Sequence, residues 1–427
     1  MVDNQLTMIN AENIIEQLRR GLPPEYGVQH YSVGYDKFIE GVKRHHLKKI
    51  EHFGKIRFVN GSWGSGKTHF FGLLKDAAAE QNCLISNVQL TKEESPLNKF
   101  ERVFYTMIRK IITPEYHNER NSMGEVNLFE RVLQESLSYL SSGEHKLPIE
   151  VTYSDYEIAQ QKLFSDSSID IDFKVIVRLY WETYLATNEE DPIALQEKRA
   201  RLLQWFGGEG KLTEFRRNFG VSKTVDKTNA KLMLRSLASF VRLSGYQGLM
   251  ILFDEAEQSY SVMRKSALKD AHNNLLTLIN SINEVPGLLL IYATTPDFYN
   301  DDKYGIKIYG ALSSRIGQPS NTSPRALETV WNLDVFDFTL DIYQEVAVKV
   351  LNIYAISQPD YANELPDSDN IEQFVSNLYD EHPRLSPVRF WRIMMASVIK
   401  KLDNCIEGVE ESDEDIYYNR IEMMREE

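Results

Sequence analysis

Gly61-Ser62-Trp63-Gly64-Ser65-Gly66-Lys67-Thr68 is the stretch on which the reading of this 427-residue chain turns. It fits G-x-x-x-x-G-K-[ST], the pattern of the phosphate-binding loop of nucleoside triphosphatases. Its glycines let backbone N–H groups curl around phosphate oxygens where a Cβ would collide. On this pattern Lys67 reaches the β- and γ-phosphates of ATP, and the Thr68 hydroxyl binds Mg²⁺. The flanks agree. Lys55–Asn60 (KIRFVN) reads as a short buried strand, and His69–Gln81 (HFFGLLKDAAAEQ) carries apolar residues at helical spacing. A helix opening directly after the loop adds its positive N-terminal end. Residues 61–68 are therefore the expected nucleotide-binding residues: Gly61, Ser62, Trp63, Gly64, Ser65, Gly66, Lys67 and Thr68.

Downstream, Cys83–Leu90 reads as a second strand and Phe100–Ile112 as an amphipathic helix. Two further runs, Gly248–Phe253 (GLMILF) and Gly287–Ala293 (GLLLIYA), are apolar without alternation. Such strands are buried on both faces, as in a parallel sheet covered by helices. The first ends in Asp254-Glu255. An acidic pair at the carboxyl end of a strand suits the second half of an ATPase site. Asp254 would hold the Mg²⁺ shell through water, and Glu255 would polarise the attacking water. The competing reading is a pair of acids capping the next helix. The other strand ends in Thr294-Thr295-Pro296. One of these hydroxyls is a candidate γ-phosphate sensor, against simple turn chemistry ahead of proline.

Arg315, in Ala311–Arg315 (ALSSR), is a candidate arginine finger reaching a neighbouring subunit's nucleotide, which would require a homo-oligomer. A surface arginine is the alternative. Arg384 follows His382-Pro383 and opens a predicted helix from which it would reach the γ-phosphate, with Arg389 in reserve. Val335–Leu340 is the expected last strand, and from Asp341 the pattern is helical, with an acidic tail after Glu407 expected to fray.

Lys67 and Asp254 stand 187 residues apart, far more than one or two βα units need. Residues 113 to about 228 are rich in Glu, Ser, Tyr and Asn and poor in strand patterns; Leu128–Leu140, Phe173–Ala186 and Leu195–Phe206 read as helices of an insertion. The expected organisation is an N-terminal helical segment (1–50), a core (51–340) interrupted by that insertion, and a C-terminal helical lid (341–427). The fold class is α/β, a P-loop NTPase of AAA+-like build.

The composition is that of an ordinary globular chain, 42% hydrophobic and 26% charged. No apolar run approaches the roughly 18 residues a membrane span requires. The first residues lack the basic region and apolar core of a signal peptide, so cytoplasm is the expected compartment and no membrane partner is expected. Two cysteines, Cys83 and Cys405, provide no disulfide framework or cysteine zinc site, and the nine histidines show no metal-ligand spacing. A net charge of −14 argues against a surface built mainly for nucleic acid. Local basic grooves at His45–Lys49 and Arg216-Arg217 remain candidates for double-stranded DNA, against solvated helix faces.

Tyr31–Gly34, Arg57–Thr68 (RFVNGSWGSGKT) and Gly245–Glu257 (GYQGLMILFDEAE) together resemble the ATP-binding proteins of BREX-type phage-defence systems, in their smaller BrxD-like form. The resemblance covers about 12 to 400, long insertion included. It implies an AAA+ ATPase related to the origin-recognition initiators, binding ATP with Mg²⁺ and working with other defence-system proteins against phage DNA. It places Lys67 and Thr68 in Walker A, Asp254 and Glu255 in Walker B, Thr294 or Thr295 at sensor 1, Arg315 near the finger position and Arg384 at sensor 2. Two departures stand out. Initiators usually carry Asn at sensor 1, and only 90 residues follow Asp337, which suffices for a lid but is tight for a lid plus a winged helix. An ATPase driving assembly or action of a defence complex is the first reading; a nucleotide-gated switch or scaffold that hydrolyses slowly or not at all is the second.

Overall fold

The computed structural model describes residues 6–24, 26–118, 128–148, 151–185, 191–255, 263–381 and 387–423. Six strands form one sheet: β1 Lys55–Asn60, β2 Cys83–Gln89, β3 Ile111–Ile112, β4 Gly248–Asp254, β5 Leu288–Thr294 and β6 Val330–Asn332, in the order β3-β2-β4-β5-β1-β6. Every pairing is parallel except that of the short edge strand β3. The expected α/β class with a parallel sheet is therefore what the chain adopts. β4 and β5 are buried along their whole length, which is why their sequences run apolar without alternation.

Alternate residues of each strand feed two cores. Phe58, Leu84, Ile251 and Leu290 face one, shared with α4 Phe100–Arg109, α11 Ala230–Leu243 and α12 Lys265–Ser281. Val59, Ile85, Leu252 and Ile291 face the other, shared with α2 Asp36–His45 and α3 Lys67–Glu80. The side-chain period of two makes this division.

The stretch between β3 and α11 is helical: α5 Pro114–Asn118, α6 Leu128–Ser142, α7 Tyr153–Ser165, α8 Ile171–Glu182, α9 Pro192–Gly207 and α10 Leu212–Phe219. Its aromatic residues Phe173, Trp181, Trp205 and Phe206 are buried in the first core, continuous with the sheet face. Each buried indole N–H has an acceptor, Trp181 on the Leu133 carbonyl (2.9 Å) and Trp205 on the Lys223 carbonyl (3.0 Å).

After β5 come α13 Pro296–Asn300 and α14 Gly310–Ile316, and after β6 come α15 Leu340–Ser357, α16 Ser368–Glu381, α17 Pro387–Glu407 and α18 Asp413–Met423. The first helix of the chain, α1 Met8–Arg19, packs on α15 and α17, whereas α2 packs on α3. Arg19 forms a two-pronged bond with Asp403 (3.0 and 2.8 Å), and the Tyr354 hydroxyl donates to the same carboxylate (2.6 Å).

Four expectations need correction. The last strand is Val330–Asn332, not Val335–Leu340; the latter begins in a 3-10 turn and ends in α15. Its alternating Phe336 and Phe338 pack on Tyr35, with ring centres 4.9 and 5.6 Å away, instead of joining the sheet. The helix expected to reach Ile112 stops at Arg109, because Ile111 and Ile112 pair with Ser86 and Ile85. Within the N-terminal segment expected to be helical to residue 50, α2 ends at His45 and a 3-10 turn follows. The acidic tail does not fray throughout: α18 buries Ile416 and Tyr417, and the Tyr417 hydroxyl donates to the Phe374 carbonyl (2.7 Å).

Candidate nucleotide-binding site

β1 ends where Asn60 pairs with Thr294 of β5, and the Gly61 N–H donates to the Thr294 carbonyl (3.1 Å). The chain then turns back on itself. A Cβ on Gly61 would lie 2.2 Å from Ser65 Oγ, so any other residue there must displace Ser65. Gly64 and Gly66 have φ of 82° and 85°, the left-handed region that glycine enters freely. α3 starts at Lys67 with no side chain capping its first turn. Its N–H groups are thereby left for another acceptor.

Lys67 is buried, and its ammonium donates to the carbonyls of Gly61 (2.7 Å) and Ser62 (3.2 Å). Trp63, on the loop's tip, is 63% exposed, and its ring centre lies 5.8 Å from the Lys67 ammonium. Thr68 is exposed. Asp334, just past β6, accepts from both the Ser62 N–H (3.0 Å) and the Ser62 hydroxyl (2.8 Å). One step back, Asn60 donates to Asn332 (2.9 Å). The loop is thus fastened to the segment that leads into α15.

Asp254 is buried at the end of β4, and its Oδ1 accepts the Glu255 N–H (2.9 Å). Burial pushes the Asp254 carboxyl up, opposed by the Glu255 N–H and the Lys67 charge. Glu255 is also pushed up, by burial and then by Asp254. Its φ of 57° puts a residue with a long side chain in the left-handed region. Such a conformation costs on the order of 1–3 kcal/mol and persists where the surroundings impose it.

Trp63 to His69, Asp254 and Glu255 line one cleft of about 580 Å³. Arg20–Pro23, the turn at Tyr31–Val33, Val346 and, from α17, Trp391, Arg392, Ile393, Met395 and Ala396 complete its wall. The turn is tied to α3 through His69, whose ring nitrogens contact Tyr31 Oη (3.2 Å) and Ser32 Oγ (2.5 Å). Burial lowers the His69 pKa to about 4, with Asp76 opposing, so the ring is neutral at pH 7.

Other expected residues fall elsewhere. The Thr294 hydroxyl is buried against the Val59 carbonyl (3.2 Å) and Tyr299 Oη (3.0 Å). Thr295 is buried at the start of α13 without a capping side-chain bond. Neither lines the cleft. Arg315 is exposed on α14, donating to Asn280 (2.6 Å) and the Ala311 carbonyl (3.1 Å), also outside the cleft. Arg384 lies outside the described residues, as does the side chain of Arg389. The arginine that α17 brings to the cleft is Arg392. It stands one helical turn beyond Arg389, and that spacing was its only signal. Asp334 gave none. Of the two basic clusters, His45–Lys49 lies at the end of α2 beside the start of β1, and Arg216-Arg217 is exposed on α10.

A parallel sheet with this loop between β1 and α3 defines an α/β protein of P-loop ATPase-like fold. The chain belongs to the family described as BREX system ATP-binding protein BrxC/D, whose model matches residues 8–418. Its role is accordingly that of an ATP-binding component of a phage-defence system, working with other components of that system. No curated protein and no solved structure matches the chain. No described helix is long and apolar enough to cross a membrane.

Proposed function

We propose that this protein hydrolyses ATP with Mg²⁺ to drive assembly or action of a defence complex on DNA. The observation that carries the reading is the convergence of Lys67, Thr68, Asp254 and Glu255 on one cleft. The residues fit the expected ligands. α3 presents an uncapped N-terminus, and the buried Asp254 carboxylate and the exposed Thr68 line the same cleft. Lys67 would exchange its loop carbonyls for the β- and γ-phosphates, while Thr68 and Asp254 would hold Mg²⁺. When bound, the ion neutralises phosphate charge. Glu255 acts as the base: burial and Asp254 raise its pKa in the direction of operating pH, where a general base works best. Arg392 takes the part assigned to a C-terminal arginine, and Arg315 acts in trans across a homo-oligomer.

The second reading, a slow or non-hydrolysing switch, draws on the position of Thr294, whose hydroxyl is spent on Val59 and Tyr299. Steady-state ATP turnover with Mg²⁺, with and without duplex DNA, separates the two. Glu255→Gln should retain nucleotide binding and lose about 10²–10⁴-fold in turnover. A variant turning over at the parent rate would remove Glu255 from the reaction.

A further inference from the structure

The chain carries 48 Lys and Arg against 62 Asp and Glu, yet residues 44–57 hold five cations and one acid. The fold gathers them. Arg44 ends α2, Lys48 and Lys49 lie in the 3-10 turn Leu47–Lys49, and Lys55 and Arg57 occupy alternate positions on one face of β1. The one acid, Glu51, is exposed beside His52 (3.7 Å). Among the described residues none of the five cations pairs with a carboxylate, although Glu40 lies within electrostatic reach of Arg44 and Lys48.

The bland explanation is a helix C-terminus attracting positive charge. It accounts for Arg44, and for Lys55, whose ammonium donates to the His45 carbonyl. It does not account for Lys48 and Lys49, exposed in the 3-10 turn beyond the helix. The Arg57 guanidinium is largely buried behind them and gives one bond to the Ile56 carbonyl (2.7 Å). The cations are close enough to feel one another. Burial, then Arg57 and Lys49, lower the Lys55 pKa to about 8. Phe53 stands exposed beside them, its ring centre 5.0 Å from the Lys55 ammonium.

We infer that this basic surface, around the start of β1, is a contact site for the phosphodiester backbone of duplex DNA. The inference rests on the proposed action on DNA and adds where the contact lies. A protein interface carries a centre depleted of charge; here the centre is charge, which suits a polyanion. The site sits at the N-terminal end of β1, while the nucleotide cleft opens at its C-terminal end, a separation of about 20 Å for six residues. DNA and ATP therefore bind opposite ends of the same strand.

Binding to a labelled 30-base-pair duplex, followed by fluorescence anisotropy between 50 and 200 mM salt, tests this. Four phosphate contacts, from Arg44, Lys48, Lys49 and Lys55, give a log–log salt slope of about −3.6, a loss of about 150-fold over that range. Arg44→Gln/Lys48→Gln/Lys49→Gln removes three exposed charges without touching the core. Its slope should fall to about −0.9, a loss of about 3-fold, with unchanged affinity for a fluorescent ATP analogue and an unchanged melting curve. If the parent binds the duplex and the variant keeps the parent slope, the site is wrong while the DNA reading stands. If the parent binds no duplex at 50 mM salt, both fail. Competition by polyglutamate as strong as by DNA would overturn the assignment in favour of an acidic protein partner.

Discussion

Replacing Gly61 by alanine tests the loop geometry most sharply. The new methyl would lie 2.2 Å from Ser65 Oγ, 3.1 Å from Ser65 Cβ and 3.4 Å from Leu333 Cβ. The last is ordinary contact, the second asks Ser65 to give by a few tenths of an ångström, and the first is a collision. Ser65 Oγ makes no hydrogen bond, so turning it away breaks none, but Ser65 Cβ remains in place, held by the Ser65 N–H on the Ser62 carbonyl (3.1 Å). The loop itself must shift. Overpacking of this kind costs about 1–3 kcal/mol, or about 5- to 150-fold in ATP affinity if the strain is relieved on the binding geometry. The clash belongs to a single neighbour, so the double variant Gly61→Ala/Ser65→Gly should recover most of the loss, with a coupling energy of about 1–3 kcal/mol. Equilibrium titration of parent, both single variants and the double variant with a fluorescent ATP analogue provides the cycle. Additive losses, or a Gly61→Ala protein that binds like the parent, would refute the argument.

Two further outcomes follow from the same structure. If Arg315 serves a neighbouring subunit, Arg315→Ala mixed with Lys67→Ala should regain part of the turnover that each lacks alone, because one mixed interface keeps both groups; a fully active monomer by sedimentation would end that idea. Burial lowers the pKa of His69 and His272 to about 4 and of His46 to about 3, so the unfolded chain takes up more protons below about 6.5, the ordinary imidazole value. Their contribution to stability should therefore fall as pH drops from about 6.5 towards 4; urea midpoints at pH 7.5 and 5 should show a smaller change in His272→Phe than in the parent, and equal changes would count against it.

The parts of the site that were legible in the sequence are those whose chemistry requires contiguous residues. A phosphate loop must be Gly-rich and must lie between strand and helix, and a buried parallel strand must be apolar before its terminal Asp254-Glu255. Contacts that close through space left no such trace. Asp334 reaches Ser62 across 272 positions, and Arg392 reaches the cleft from a helix whose other arginine, Arg389, carries the same chemistry in the sequence. The misplaced last strand has a physical cause. Val335-Phe336-Asp337-Phe338 alternates with the period of a strand, but its rings are used to join Tyr35 and Trp391, whereas the actual strand is three residues long. Thr294 was legible as a strand end but not as a hydroxyl already engaged by Tyr299, five residues further on.

The seating of α1 has a mechanical meaning. Through Arg19, Asp403 and Tyr354 the first helix is bolted to the last ones, so the beginning and end of the chain travel as one piece. Two stretches lead from that piece to the sheet, 20–35 and 333–339, and they meet where Tyr35 packs on Phe336 and Phe338. Ile14 of α1, Val350 of α15 and Met394 of α17 lie in one apolar core with Val59 and Ile291 of the sheet. The two ends of the chain thus rest on the strand that carries the phosphate loop through a broad seat, and a cavity cut at Ile14 would be felt by the sheet as well as by the last helices.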